Sequence, residues 1–146
     1  LLEAVMPLVR LKASKLGVQV QVEVEPRLPP IVCDTTMIEQ VLLNLARNAM
    51  QAMEGVEAPQ RRLTIQALWS EASRRVVFAV EDQGSGIPAE VAKQLFTPFF
   101  TTKHEGMGLG LSMCRTVLEQ HGGELRHQAN VPRGTVFTFS LPVAET

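Results

Sequence analysis

Cysteine is scarce in this chain of 146 residues. Cys33 and Cys114 stand far apart in apolar surroundings, Ile31-Val32-Cys33 and Leu111-Ser112-Met113-Cys114, without CxxC spacing or a histidine at ligand spacing. That pattern argues against a zinc site and a disulfide framework, and the expectation is two buried thiols in a reducing compartment. An excess of one charge is also missing. Fifteen acidic against fourteen basic residues leave a formal charge of −1, so neither nucleic acid nor an anionic membrane is expected as a partner. No apolar run approaches the ~18 residues of a spanning helix. The opening Leu1-Leu2-Glu3-Ala4-Val5 lacks the basic start and cleavage site of a signal peptide. A cytoplasmic location is expected, either free or as part of a membrane-anchored full-length protein, and the absent initiator Met suggests a piece of a longer protein. Repeats and low-complexity tracts are absent too.

What is present reads as a globular domain. Apolar residues make up 45% and charged residues 20%, and the length fits one domain over residues 1–146 at about 150 residues per domain. Leu1, Val5, Leu8, Leu11 and Leu16 follow helical spacing up to Gly17, with Pro7 as a blemish. Val18 to Val24 alternates strictly apolar and polar, which predicts a strand with one wet face. Three prolines mark Glu25 to Pro30 as a connector. A short strand, Ile31-Val32-Cys33, is expected before Asp34, a good N-cap for a long helix to about Met53. Arg62 to Trp69 and Arg74 to Glu81 read as an antiparallel hairpin. Prolines, glycines and a Phe/Thr cluster then surround one short expected helix, Ala89 to Leu95. Leu111 to Gln120 is helical in spacing, stopped by His121-Gly122-Gly123, and Glu124 to Ala129 with Thr135 to Leu141 form a last hairpin. The sum is an α/β (α+β) two-layer sandwich. A mixed, mainly antiparallel sheet of about five strands carries three main helices on one face.

Four segments carry residues suited to chemistry. Asn44 and Asn48 are four apart on the long helix, so both amides leave one face. They are either solvated groups or hard oxygen ligands suited to Mg²⁺. Asp82 ends a strand and is followed by Gly84 and Gly86. It is either a turn former or a carboxylate that accepts an exocyclic amine such as that of adenine, with glycines admitting a flat ring. Gly106-Met107-Gly108-Leu109-Gly110-Leu111 runs into a helix and could cradle phosphate or simply start that helix. The spacing matches neither the dinucleotide-binding fingerprint nor the P-loop. Ahead of it, Phe96 reads as core, and Thr101, Thr102 and Lys103 offer hydroxyls and a cation.

In this order, Asn44-Leu-Ala-Arg-Asn48-Ala49, Asp82-x-Gly84-x-Gly86-Ile87, Phe96 to Lys103 and Gly106-x-Gly108-Leu109-Gly110-Leu111 resemble the four nucleotide-binding boxes of sensor histidine kinases. These kinases share a superfamily with gyrase B, Hsp90 and MutL. The Glu119-Gln120-His121-Gly122-Gly123 tail and the Gly134 to Pro142 strand look like their closing hairpin. The Thr-Pro-Phe-Phe-Thr-Thr-Lys run is most similar to the oxygen- and nitrogen-sensing branch. The resemblance implies a Bergerat-type ATP-binding fold and Mg·ATP as cofactor. Asn48 would be the metal ligand, with Asn44 and Lys103 at the transfer step near the phosphates. Asp82 would take the adenine amine, supported by Thr135, with Gly84, Gly86, Ile87 and Ala52 also around the nucleotide. Thr101, Thr102, Lys103 and the run Gly106, Met107, Gly108, Leu109, Gly110 and Leu111 would hold phosphates. A lid would span about 88–107.

One position bears on the reaction. In the gyrase, Hsp90 and MutL branches the residue four before the metal-binding Asn is a Glu that activates water. Here it is Asn44, an amide that cannot take a proton at neutral pH, and Glu39 lies on another helical face. Phosphoryl transfer is favoured over hydrolysis, with a conformational ATPase and a non-catalytic nucleotide-binding module as alternatives. None of the three histidines suits the acceptor role. His104 is followed by Glu105 but then by glycines, His121 reads as a cap, and His127 as a surface strand residue. The implied partners are a separate dimerisation and histidine-phosphotransfer domain and, through it, a response regulator.

Overall fold

The computed structural model describes residues 2–84, 107–131 and 133–143. Its elements run α1 (Leu2–Leu16), β1 (Gln19–Val24), α2 (Thr35–Ala52), β2 (Arg62–Ser70), β3 (Arg75–Glu81), α3 (Met107–Gln120), β4 (Arg126–Ala129) and β5 (Thr135–Pro142), with one 3₁₀ turn at Ala58–Gln60. The strands form one sheet in the order β1-β2-β3-β5-β4. Only β1 and β2 pair in parallel, because the chain between them passes through α2. The other three pairs are antiparallel. The expected mixed, mainly antiparallel sheet is what forms.

Register decides which residues make the core. Ile65 faces Val80 and Ala67 faces Phe78 across β2 and β3. On the next strand Phe78 meets Phe139, their rings stacked at 4.9 Å, and Val80 meets Phe137. All are buried on the face covered by the helices. The alternate residues Gln21, Glu23, Thr64, Gln66 and Glu81 face away, so that side of the sheet is polar. Desolvation, and then the neighbouring Glu23 carboxylate, raise the pKa of Glu81 there.

α2 occupies the middle of the helical layer and packs against α1, α3 and the sheet. Asp34 caps it, its Oδ1 accepting from the Met37 N–H at 3.1 Å. Ile38, Leu42 and Leu45 are fully enclosed at helical spacing, each contributing about 1.5–3 kcal/mol. α3 ends at Gln120, and Gly122 after it has a φ of 73° that permits the left-handed closing turn. The Gly123 N–H then bonds the Leu118 carbonyl at 2.8 Å. Gly123 must lack a side chain because a Cβ would strike the Ser140 carbonyl of β5.

Three expectations change. Ile31-Val32-Cys33 is not a strand: Ile31 alone forms a bridge, to Val143, since the preceding Pro29 and Pro30 have no N–H to extend a ladder. Arg74 sits in the hairpin turn at φ 54°. α3 begins at Met107 rather than Leu111, so tertiary packing overrides the poor helix propensity of its glycines. The expected helix Ala89 to Leu95 and the Phe96 core position lie outside the described residues.

Candidate functional site

Asp82 follows β3 directly. It is the one charged residue buried among the described residues, with 2% exposure. Its backbone N–H continues the ladder to the Thr135 carbonyl at 2.9 Å. Its Oδ1 accepts from the Gly84 N–H at 2.8 Å and the Thr135 N–H at 3.2 Å. Thr135 thus supports Asp82 through its own backbone and is itself buried. The Asn130 amide donates to the Asp82 carbonyl at 2.9 Å, closing the β4–β5 turn over the same residue. These two N–H bonds orient the carboxylate.

Two glycines make this packing possible. A Cβ on Gly84 would lie 2.5 Å from the Ala52 carbonyl, so the chain after β3 rests on the backbone of α2. The vacancy read in the sequence as room for a flat ring is, at Gly84, filled by that helix. At Gly134 φ is +106° and a Cβ would collide with the Asp82 carbonyl. Arg133 ties the region down further, donating from Nε to the Gln83 carbonyl at 3.2 Å and from Nη2 to Gln60 at 2.9 Å.

Two turns earlier on α2, the surroundings differ. Asn44 and Asn48 are both half-buried and share one helical face. Asn44 Oδ1 accepts from Arg47 Nη2 at 2.8 Å, and a Cβ on Gly110 would sit 3.4 Å from that oxygen. The first turn of α3 therefore lies beside Asn44. Leu111 is buried beneath it, and Cys114 Sγ lies 4.0 Å from the Val41 carbonyl. The helix rise of 1.5 Å per residue sets Asn44 about 12 Å from Ala52. Along that length α2 carries Asn44, Asn48 and the Ala52–Gly84 contact, with Asp82 two residues beyond.

Asn44, Asn48, Ala52, Asp82, Gly84, Gly110, Leu111 and Thr135 are all among the described residues. Met107, Gly108 and Leu109 form the start of α3. Gly86, Ile87, Thr101, Thr102, Lys103 and Gly106 lie outside, as does His104. Sequence reading missed Asn130, Gly134, Arg47 and Arg133 as parts of the site's frame. The Asn-x-x-x-Gly turn spacing was the one local signal available.

The other histidines take structural positions. His121 Nε2 accepts from the Asp34 N–H at 2.9 Å, so its ring proton lies on Nδ1, which donates to the Val117 carbonyl at 2.8 Å. The expected cap thus joins the end of α3 to the start of α2. His127 sits half-buried in β4, its ring 6.0 Å from Phe137. Both cysteines are free. Cys114 is buried, and burial pushes its thiol up to about 12 against an opposing pull from Arg47. Cys33, expected to be buried, is only half-buried.

Among the described residues, no cluster of three metal-ligating side chains exists. No described helix is long and apolar enough to cross a membrane.

The family model described as histidine kinase-, DNA gyrase B-, and HSP90-like ATPase matches residues 33–145. The C4-dicarboxylate transport sensor protein DctS of Rhodobacter capsulatus is 43% identical over 122 residues, which cover 84% of this chain and 18% of that protein. The catalytic domain of histidine kinase ThkA superposes with a TM-score of 0.82 at 34% identity, covering 97% of this chain and 89% of that one. ThkA in complex with response regulator protein TrrA gives 0.78 at 32% identity, covering 98% and 39%. Full-length ShkA in complex with AMPPNP gives 0.83 at 29% identity, covering 99% and 30%. The chain spans less than a third of the length of curated relatives that it matches.

Proposed function

The chain belongs to the histidine kinase-, DNA gyrase B- and HSP90-like ATPase family, and from that premise we propose that it binds Mg·ATP and transfers the γ-phosphate to a histidine on a separate dimerisation domain. It would be the catalytic half of a sensor kinase, a single domain over residues 1–146 with a lid at about 88–107. The observation that carries this reading is Asp82, a carboxylate buried at 2% exposure and aimed by two backbone N–H groups. A carboxylate so placed would accept a hydrogen bond from the exocyclic amine of adenine, and the carbonyl of guanine at the same position would repel it.

From this end the nucleotide would run along α2. Gly86 and Ile87 would flank the base. Asn48 would hold Mg²⁺ through its amide oxygen, and bound there the ion would neutralise charge on the phosphates. Asn44, Thr101, Thr102, Lys103 and the first-turn N–H groups of α3 would take phosphate oxygens. Asn44 supplies no base for water, which favours transfer over hydrolysis and sets this chain apart from a conformational ATPase. ShkA solved with AMPPNP and ThkA solved with TrrA support a nucleotide ligand and a response regulator reached through the dimerisation domain.

Titration calorimetry tests this directly. ATP should bind in the presence of Mg²⁺, and GTP should bind at least tenfold more weakly, the loss expected for one buried charged hydrogen bond of about 1.5–3 kcal/mol. Equal affinity for the two would sink the assignment of Asp82.

A further inference from the structure

Asn44 and Asn48 carry the same amide one turn apart, and the amide can serve either as donor or as oxygen ligand. A neighbouring residue sorts them. Arg47 has N–H donors and no acceptor, so the end of Asn44 that meets its Nη2 at 2.8 Å is necessarily the oxygen. The NH₂ is then the end left to face a ligand. Among the described residues, the guanidinium forms no ion pair with a carboxylate. It lines a groove of about 330 Å³ together with Lys12, Gln40, Leu43 and Met50, none of them acidic. Its charge is also felt at Cys114 of α3. Arg47 is exposed and Asn44 half-buried, so the bond contributes little to folding. What it fixes is direction.

We propose that Arg47 is a positioning residue: by holding Asn44 Oδ1 it makes Asn44 a hydrogen-bond donor to the nucleotide's phosphates and leaves metal ligation to Asn48. This rests on the nucleotide reading above and goes beyond it by giving Arg47 a role in setting which end of Asn44 meets the ligand. An exposed arginine is ordinarily a solvated surface charge, and here its single directed bond to a site residue sets it apart. Its action through Asn44 separates it from a cation that would touch phosphate itself.

The test is a double-mutant cycle on the 146-residue chain. Mg·ATP and adenosine binding are measured for wild type, Arg47→Ala, Asn44→Ala and the double variant, with Arg47→Lys as the conservative change. Each single alanine should weaken Mg·ATP about tenfold and leave adenosine affinity and the melting temperature unchanged. The double variant should be no weaker than Asn44→Ala, because Arg47 acts only through that amide. Lysine, also a donor without an acceptor, should recover part of the loss. Without ligand, the Asn44 side-chain NH₂ signals in an NMR spectrum should move in Arg47→Ala and stay near their wild-type positions in Arg47→Lys. Additive losses of about a hundredfold would overturn the positioning role, as would a fall in ATP and adenosine binding together or an Arg47→Ala chain that fails to fold. Failure of the wild type to bind either ligand is seen before any variant is made and would overturn the nucleotide reading with it.

Discussion

The Ala52 end of α2 and its Asn44 end would build the proposed site by different means. Around Ala52 the contacts are backbone: the Gly84 chain rests on a helix carbonyl, Thr135 and Gly84 donate N–H groups to a buried carboxylate, and Gly134 clears space for a peptide. Around Asn44 they are side chains that reach solvent, joined by one exposed hydrogen bond. Backbone contacts inside a core hold their geometry whether or not a ligand is present, whereas half-exposed side chains depend on what they meet. On the proposed reading, base recognition would be preformed, and the phosphate end would be completed by its ligand. Substitutions that disturb backbone packing at the first end should therefore damage folding and binding together, and those at the second should damage binding alone.

The sharpest break in that comparison is Gly134→Ala. A Cβ there meets the Asp82 carbonyl at a φ of +106°, so the chain should lose about 3 kcal/mol, or roughly 10 °C in Tm. Thermal unfolding followed by circular dichroism measures this, and an unchanged Tm would remove the claim that this end is rigid.

Next in size is Asp82→Asn. The amide can still accept the Gly84 and Thr135 bonds but loses the charge, so ATP affinity should fall ten- to a hundredfold while the fold persists. Calorimetry and a melting curve on the same sample read both quantities. At the other end, Asn48→Ala should leave binding of ATP without metal intact and abolish the extra affinity that Mg²⁺ provides. Titration with and without a chelator isolates that increment, and a retained increment would place the metal elsewhere.

How far these two ends could be read in advance follows the range of their contacts. The Asp34 cap, the stop at Gly122 and the alternation of both hairpins act within a few residues and are visible as patterns. Asn44, Asn48, Asp82 and the Gly108 to Leu111 stretch stood out because their residue types suit phosphate, metal and amine chemistry. The parallel pairing of β1 with β2 and the burial of Gly84 on Ala52 depend on distant segments, and no local pattern encodes them. Arg61 illustrates the same point. It donates to the Leu16, Glu54 and Val56 carbonyls and so joins the end of α1 to the loop after α2, yet in sequence it is simply one of two adjacent arginines. Ile31-Val32-Cys33 misled because three apolar residues in a row resemble a buried strand, while the flanking prolines permit only one bridge.

The smallest expected effect is one of pH, beneath the Asn44 end. The unfolded chain releases the Cys114 proton near 9.0, whereas the native thiol holds it to about 12 because of burial. Above pH 9 the unfolded state binds fewer protons, so stability is complete below that value and declines as pH rises toward 12. Between pH 9 and 10 the decline from this group is at most about 1.4 kcal/mol. Urea titrations of wild type and Cys114→Ala should show a steeper alkaline loss in the wild type, and equal slopes would contradict the burial of this thiol.

The central claim is that this chain prepares ATP for a histidine it does not itself contain. The measurement that meets it most directly is incubation with γ-labelled ATP and Mg²⁺, first alone and then with the dimerisation domain added. The account predicts no label on the chain alone and turnover near background, because Asn44 activates no water and neither His121 nor His127 occupies an acceptor's setting. Acid-labile label should then accumulate on the added domain, slowly, since free domains lack the effective concentration that a linker provides. Rapid hydrolysis by the chain alone, or acid-labile label on His104, His121 or His127, would contradict it.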